Sequence, residues 1–183
     1  MDPRIARTRR SLQRALLDLA RERPLDEITI ADIAERAAVN RSSFYQHYPD
    51  KDTLLADALD TAVEEAGATL PEGVGRLDAP PDALVAYLRH YDENADLYRR
   101  VLGPQGSAVV RARLQGRIQQ IALESIRSSG ADVFETLPLD VVAAGVTGSV
   151  LGVIEAWLER DPRPPVEVAV DWVWRMLLGP GAP

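Results

Sequence analysis

Residues 29–55 read TIADIAERAAVNRSSFYQHYPDKDTLL, and the reading of this stretch decides the fold. Thr29 and Asp32 form a capping-box variant, in which a hydroxyl and a carboxylate three residues apart serve each other's backbone N–H groups and open a helix. Ile30, Ile33, Ala34 and Ala37 then recur at helical spacing, which predicts a short helix through Arg36. Ala38 and Val39 lead to Asn40, whose side-chain oxygen suits an N-cap, and a second short helix is predicted over 41–48, closed by Pro49. Asp50 caps a longer helix over 50–66 carrying Leu54, Leu55, Ala58, Leu59, Ala62 and Val63. Two short helices separated by about three residues make a helix-turn-helix pattern.

Outward from this stretch the chain also reads as helix. Toward the N-terminus, Ile5, Leu12, Leu16 and Leu19 share one face of a helix over 3–21, with Asp2 as N-cap, Pro3 at its first position and Pro24 ending it. Toward the C-terminus, the segment from Gly67 to Pro81 is rich in Gly and Pro and marks the only plausible boundary between a domain over 1–66 and one over 67–183. Beyond it, Leu84, Tyr87, Leu88 and Tyr91 form a helical face, and a short helix over 96–102 is stopped by Gly103. A long helix over 107–128 turns Val110, Leu114, Ile118 and Ile121 inward, with Gly130 following it. Residues 140–158 are apolar nearly all round, which predicts a helix covered on more than one side. Residues 166–178 alternate as a strand would, but also carry a helical face. A lone strand would have no ladder partner, while Pro164-Pro165 and Gly179 suit helix ends, so the segment is read as helix. The fold class is all-α.

Composition narrows the chemistry. The 183 residues include no Cys and only two His, His47 and His90, so thiol chemistry, metal centres and cofactors held by such ligands are not expected. Neither a Glu-x-x-His motif nor a Gly-rich phosphate loop is present, and an enzyme using carboxylates in a helical bundle is the weaker reading. The longest uncharged stretch, Val141 to Ile154, falls short of the roughly 18 residues a spanning helix needs. Charges at the N-terminus stand where a signal peptide would be apolar, so no membrane association and a cytoplasmic location are expected. The net charge of −7 by itself argues against a nucleic-acid partner, but it hides an asymmetry. Residues 1–24 hold seven arginines against three carboxylates, whereas residues 61–183 hold 11 basic and 17 acidic groups.

The block at residues 29–55, with its Ile-Ala-x-x-Ala core and the Ser-x-Phe-Tyr-x-His-Tyr-Pro-x-Lys-x-x-Leu-Leu run, resembles the DNA-binding domain of the TetR/AcrR family of bacterial transcription regulators. The likeness covers about residues 5–65. It implies a three-helix helix-turn-helix DNA-binding domain followed by a C-terminal helical domain for ligand binding and dimerisation. A helix entering a major groove about 12 Å wide must show short or flexible polar groups to the DNA and keep an apolar side for its own domain. Arg41, Ser42, Ser43, Tyr45, Gln46 and His47 meet the first demand, Phe44 and Val39 the second. Arg41 and Ser42, at the end that enters the groove, are the expected base readers. By the family's pattern Ser43, Tyr45, His47 and Lys51, the one lysine of the chain, are expected to position phosphates, as is Thr29 at a helix N-terminus. Tyr48 stands where the family more often has Phe and is expected in the core with its hydroxyl at the rim, and Ala38 stands where the family often has Gly.

One recognition helix contacts few base pairs, so a homodimer reading a palindromic operator is expected. Gly145, Gly148 and Gly152 line a stripe of small residues that would let a second copy approach, and with Trp172 and Trp174 they are the expected dimer interface. The resemblance implies a small-molecule effector, for which Tyr87, Tyr91, Tyr98 and Trp157 are the candidate pocket residues. The expected function is a DNA-binding regulator, a repressor released by its effector. The alternative is a similar DNA-bound protein acting through protein–protein contacts.

Overall fold

The computed structural model describes residues 3–65, 79–104, 106–129 and 137–178. Asp2, Gly130, Gly179 and most of the Gly67–Pro81 segment, read above as caps and breaks, lie outside the described residues. Among the described residues there are nine α-helices and no strand. They are α1 (Pro3–Glu22), α2 (Ile30–Arg36), α3 (Arg41–His47), α4 (Lys51–Glu65), α5 (Asp82–Glu93), α6 (Ala95–Leu102), α7 (Ala108–Ser129), α8 (Leu139–Leu158) and α9 (Val166–Leu178). The helical reading of residues 166–178 thus holds.

α2 and α3 form as their capping residues direct. Thr29 Oγ1 accepts from the Asp32 N–H while Asp32 accepts from the Thr29 N–H, a complete capping box at α2. At the other end of α2, the N–H of Val39 donates to the Ala34 carbonyl and that of Ala38 to Glu35, the paired bonds of a Schellman turn. The geometry puts Ala38 at φ 54°, a left-handed conformation that costs alanine up to about 1 kcal/mol more than glycine. The cost is tolerated because the turn must reverse the chain within four residues to start α3.

A single apolar core runs through the described residues, from Leu12 and Leu16 of α1 through Phe44, Leu54 and Leu59 to Leu88, Tyr91, Ile154 and Val173. Ile5, placed on the apolar face by its spacing, is instead exposed near the free end of α1. α4 packs on α1 on one side and on α7 on the other, so it is the beam between the helix-turn-helix and the rest. α8 packs on α7 and α9, burying Val142, Ala143, Thr147, Val150, Leu151, Ile154 and Trp157. It is thus covered on more than one side, as its composition predicts, while among the described residues Val141, Ala144, Gly145, Gly148, Gly152 and Ala156 form an exposed stripe. A Cβ built at any of these three glycines meets nothing within 4 Å. By length and composition α8 would also suit a bilayer, but it is packed against α7 and α9 and its exposed stripe is lined mainly by Gly and Ala.

Candidate nucleic-acid interface

The candidate recognition element is α3, only two turns long, so its placement depends on how its ends are tied. At its start the Asn40 side-chain oxygen accepts from the Ser43 N–H at 2.7 Å and from the hydroxyls of Ser42 at 2.6 Å and Ser43 at 2.9 Å. Both serine protons are thereby committed to the cap, which leaves their lone pairs facing outward as acceptors. On the inner side Phe44 is fully buried and Tyr48, the C-cap, is 2% exposed. On the outer side Arg41, Ser42, Tyr45 and Gln46 are exposed, Tyr45 by 49%. The Arg41 guanidinium lies 5.9 Å from the Tyr45 ring centroid, one turn away on the same face, and the Tyr45 ring stands edge-on to Phe44. Tyr45 is therefore held on its apolar side while its exposed hydroxyl accepts from the Arg41 guanidinium at 3.5 Å and keeps its own proton to donate.

The remaining expected contacts have other ties. His47 is half-buried and lines a cleft of about 580 Å³ with Arg9, Tyr48, Asp57, Val109 and Arg113. The Lys51 ammonium donates to the backbone carbonyls of Leu25 and, at 2.8 Å, Ile28. Two of its three donors thus fasten the segment before α2 to the start of α4, so besides its expected phosphate contact it serves as a strut. Thr29 is likewise engaged by Asp32, and the Arg23 guanidinium lies 2.8 Å from that carboxylate. The backbone and hydroxyl bonds of Thr29 hold the Asp32 carboxyl below its usual range, so a negative charge already sits at this helix N-terminus.

One carboxylate that the sequence reading missed gathers three elements. Asp57 of α4 accepts from the Tyr48 hydroxyl at 2.5 Å, the Arg9 guanidinium at 2.9 Å and the buried Gln13 amide at 2.7 Å. Burial alone would raise the Asp57 pKa, but these three donors together lower it, and the side chain is a carboxylate. Burial, helped by the bond to Asp57, pushes the Tyr48 hydroxyl up to about 12, so it remains a donor at neutral pH. No periodicity or motif marks such a node; a polar residue at position 13 on the apolar side of α1 was the one available sign.

The tyrosines proposed as pocket walls are packed together. Tyr91 and Tyr98 stack at 4.0 Å, the Tyr87 and Tyr91 hydroxyls are 2.9 Å apart, and Tyr98 bonds His90 at 2.8 Å. Trp157 donates its indole N–H to the Pro164 carbonyl. These residues form core in this structure. Of the proposed interface residues, the three glycines are open and Trp172 is half-buried under the Arg160 guanidinium. Trp174 is 9% exposed and packs mainly within its own chain, so it offers less surface to a second copy than Trp172. A second cleft, of about 590 Å³, lies along the seam of α4 and α7, where Asp60 pairs with Arg113 and Glu64 with Arg117.

A capped two-turn helix, presented on a three-helix head with its polar face outward, defines the class of helix-turn-helix transcription regulators. Comparison with known proteins agrees. Residues 13–58 match the bacterial regulatory proteins of the tetR family, and residues 78–177 match a transcriptional regulator C-terminal region. The chain belongs to the TetR family, whose members are DNA-binding regulators and not enzymes. Among curated proteins it is 39% identical over 66 residues to the Bacillus subtilis HTH-type transcriptional regulator YxbF, spanning 36% of this chain and 17% of that one. It is 36% identical over 53 residues to the Mycobacterium tuberculosis HTH-type transcriptional regulator EthR, spanning 29% of this chain and 24% of that one. The matched region is thus under a quarter of each relative's length. Among solved structures, a tetR-family regulator from Streptomyces coelicolor superposes with TM-score 0.60 at 28% identity, covering 91% of this chain and 77% of that one. FadR of Thermus thermophilus, solved with lauroyl-CoA, shares the fold at TM-score 0.57 and 23% identity, covering 93% of each chain.

Proposed function

We propose that this chain binds a palindromic DNA operator as a homodimer, represses transcription from it, and is released by a small molecule. The observation that carries the reading is the outer face of α3, where Arg41, Ser42, Tyr45 and Gln46 are exposed while Phe44 and Tyr48 anchor the helix behind them. Arg41 at the leading end suits bidentate recognition of guanine, and Ser42, whose proton is held by Asn40, suits an exocyclic amino donor. Tyr45, Gln46, His47 and Ser43 then lie along phosphates, and Thr29 and Lys51 support the frame those contacts need.

The dimer is favoured by the open stripe of α8: a soluble chain rarely leaves such an apolar helix face in water, and small residues allow a symmetry-related α8 to approach closely. The effector is favoured by the family. FadR binds lauroyl-CoA and a further fold relative, RolR, binds resorcinol, and both share the helical body with this chain. In this chain the Tyr87, Tyr91 and Tyr98 cluster would have to open to admit such a molecule. Repression is the simplest output, because covering a promoter needs no further contact surface.

The test is binding of the wild type and of Tyr45→Ala to duplexes selected from a random-sequence pool. Loss of about tenfold or more in affinity is expected for Tyr45→Ala, from one phosphate contact made in each half-site. Equal affinity of the two proteins would remove α3 from the interface.

A further inference from the structure

We propose that Asp57 is a positioning residue for DNA reading, which fixes the pose of α3 through the Tyr48 hydroxyl and ties it to α1 and α4. The inference rests on the DNA-binding reading above. A two-turn helix anchored only at Phe44 could pivot about that ring, because its start is held by bonds within its own cap. A second fixed point is required to set its tilt, and Tyr48 supplies one. Its ring is 2% exposed, and its hydroxyl ends on the Asp57 carboxylate. Among the described residues, the bonds of this hydroxyl to Asp57 and from Arg9 are the hydrogen bonds that join α3 and its C-cap to other helices.

Asp57 is itself immobilised. Arg9 and Gln13, one turn apart on α1, both donate to its Oδ2, and Gln13 also donates to Thr61 one turn further along α4. The Arg9 guanidinium lies 5.1 Å from the Tyr48 ring centroid as well as on the carboxylate. A hydrogen bond tolerates only a few tenths of an ångström of drift, so a shift of α4 must either carry α3 with it or break the node. Asp57 also lines both clefts along the seam between α4 and α7, beside the Arg113 that pairs with Asp60. Asp57 therefore stands on the helix that packs on α7 and bonds the C-cap of the recognition helix. Where a phenylalanine stands in place of Tyr48, this link cannot exist, which makes it a property of this chain and not of the three-helix head in general.

The test is a double-mutant cycle of Tyr48→Phe and Asp57→Asn, read as affinity for a selected duplex and for a shuffled one, with melting temperature as control. Tyr48→Phe keeps the buried ring and removes only the bond. It is expected to weaken selected-duplex binding three- to tenfold, with shuffled-duplex binding changed less than twofold. Asp57→Asn is expected to weaken selected binding at least as much, and Tyr48→Phe added to it should cost nothing further. Should Asp57→Asn fail to fold, Tyr48→Phe alone with Arg9→Gln decides the matter on the same selected-to-shuffled ratio. A wild type that selects no duplex would overturn the DNA reading itself. A wild type that selects one while Tyr48→Phe binds it equally well, or loses selected and shuffled binding together, would overturn the positioning role alone.

Discussion

Single residues here serve as fastenings for a reading surface made of very few groups. Lys51 illustrates this: its charge is spent on two carbonyls of the preceding segment. His90 illustrates the burial cost elsewhere. It is 6% exposed, bonded to Tyr98, and burial, with a smaller contribution from Arg21, lowers its pKa to about 4. The unfolded chain, with an ordinary histidine near 6.5, binds more protons than the folded one between those values. Stability from His90 is therefore complete above about pH 6.5 and is lost as pH falls toward 4, with a ceiling of ~3 kcal/mol. Denaturant melts of the wild type and His90→Gln between pH 7 and 4 should converge as pH falls, because only the wild type pays to stay uncharged. Parallel curves would show that the imidazole is not held neutral.

At the scale of elements, caps and apolar spacing made nearly every helix legible in the sequence. Thr29, Asn40 and Pro49 each end or begin a helix through a local bond or a local steric block, so their signal needs no tertiary information. Asp57, Gln13 and Lys51 were legible as residues but not in their roles, because their partners lie 9 to 48 positions away on other elements and no helical or capping pattern records such a meeting. Trp174 and the stripe of α8 were drawn to one interface by the family resemblance and the small-residue spacing, whereas their burial within one chain differs. The stripe yields its own prediction. Gly148 is exposed with no atom within 4 Å of a Cβ, so Gly148→Leu in an isolated chain should be neutral or raise helix stability by up to about 1 kcal/mol. In a dimer closed on this face the same leucine would block approach, and sedimentation at micromolar concentration should shift from dimer to monomer with helical content unchanged. A variant that sediments as the wild type would move the interface elsewhere.

Across the whole molecule, charge and architecture serve opposite needs. The arginine-rich α1 belongs to the head that carries α3, while the acidic excess lies in the body beyond α4, so the net charge of −7 is compatible with one face that attracts phosphate. Among the described residues α4 packs extensively against both α1 and α7, so coupling between body and head loads it. Ion pairs at its two flanks, Asp57 to Arg9 and Asp60 to Arg113, couple that load to both neighbours. The central claim, that the head binds DNA by sequence, is tested most directly by fluorescence anisotropy on the duplex flanking this chain's own gene, over a salt series and against a shuffled duplex. A dimer neutralising six phosphates should give a slope of log K against log salt of about −5, together with preference for one sequence. A slope near zero, or equal affinity for selected and shuffled duplexes of every sequence tried, would contradict it.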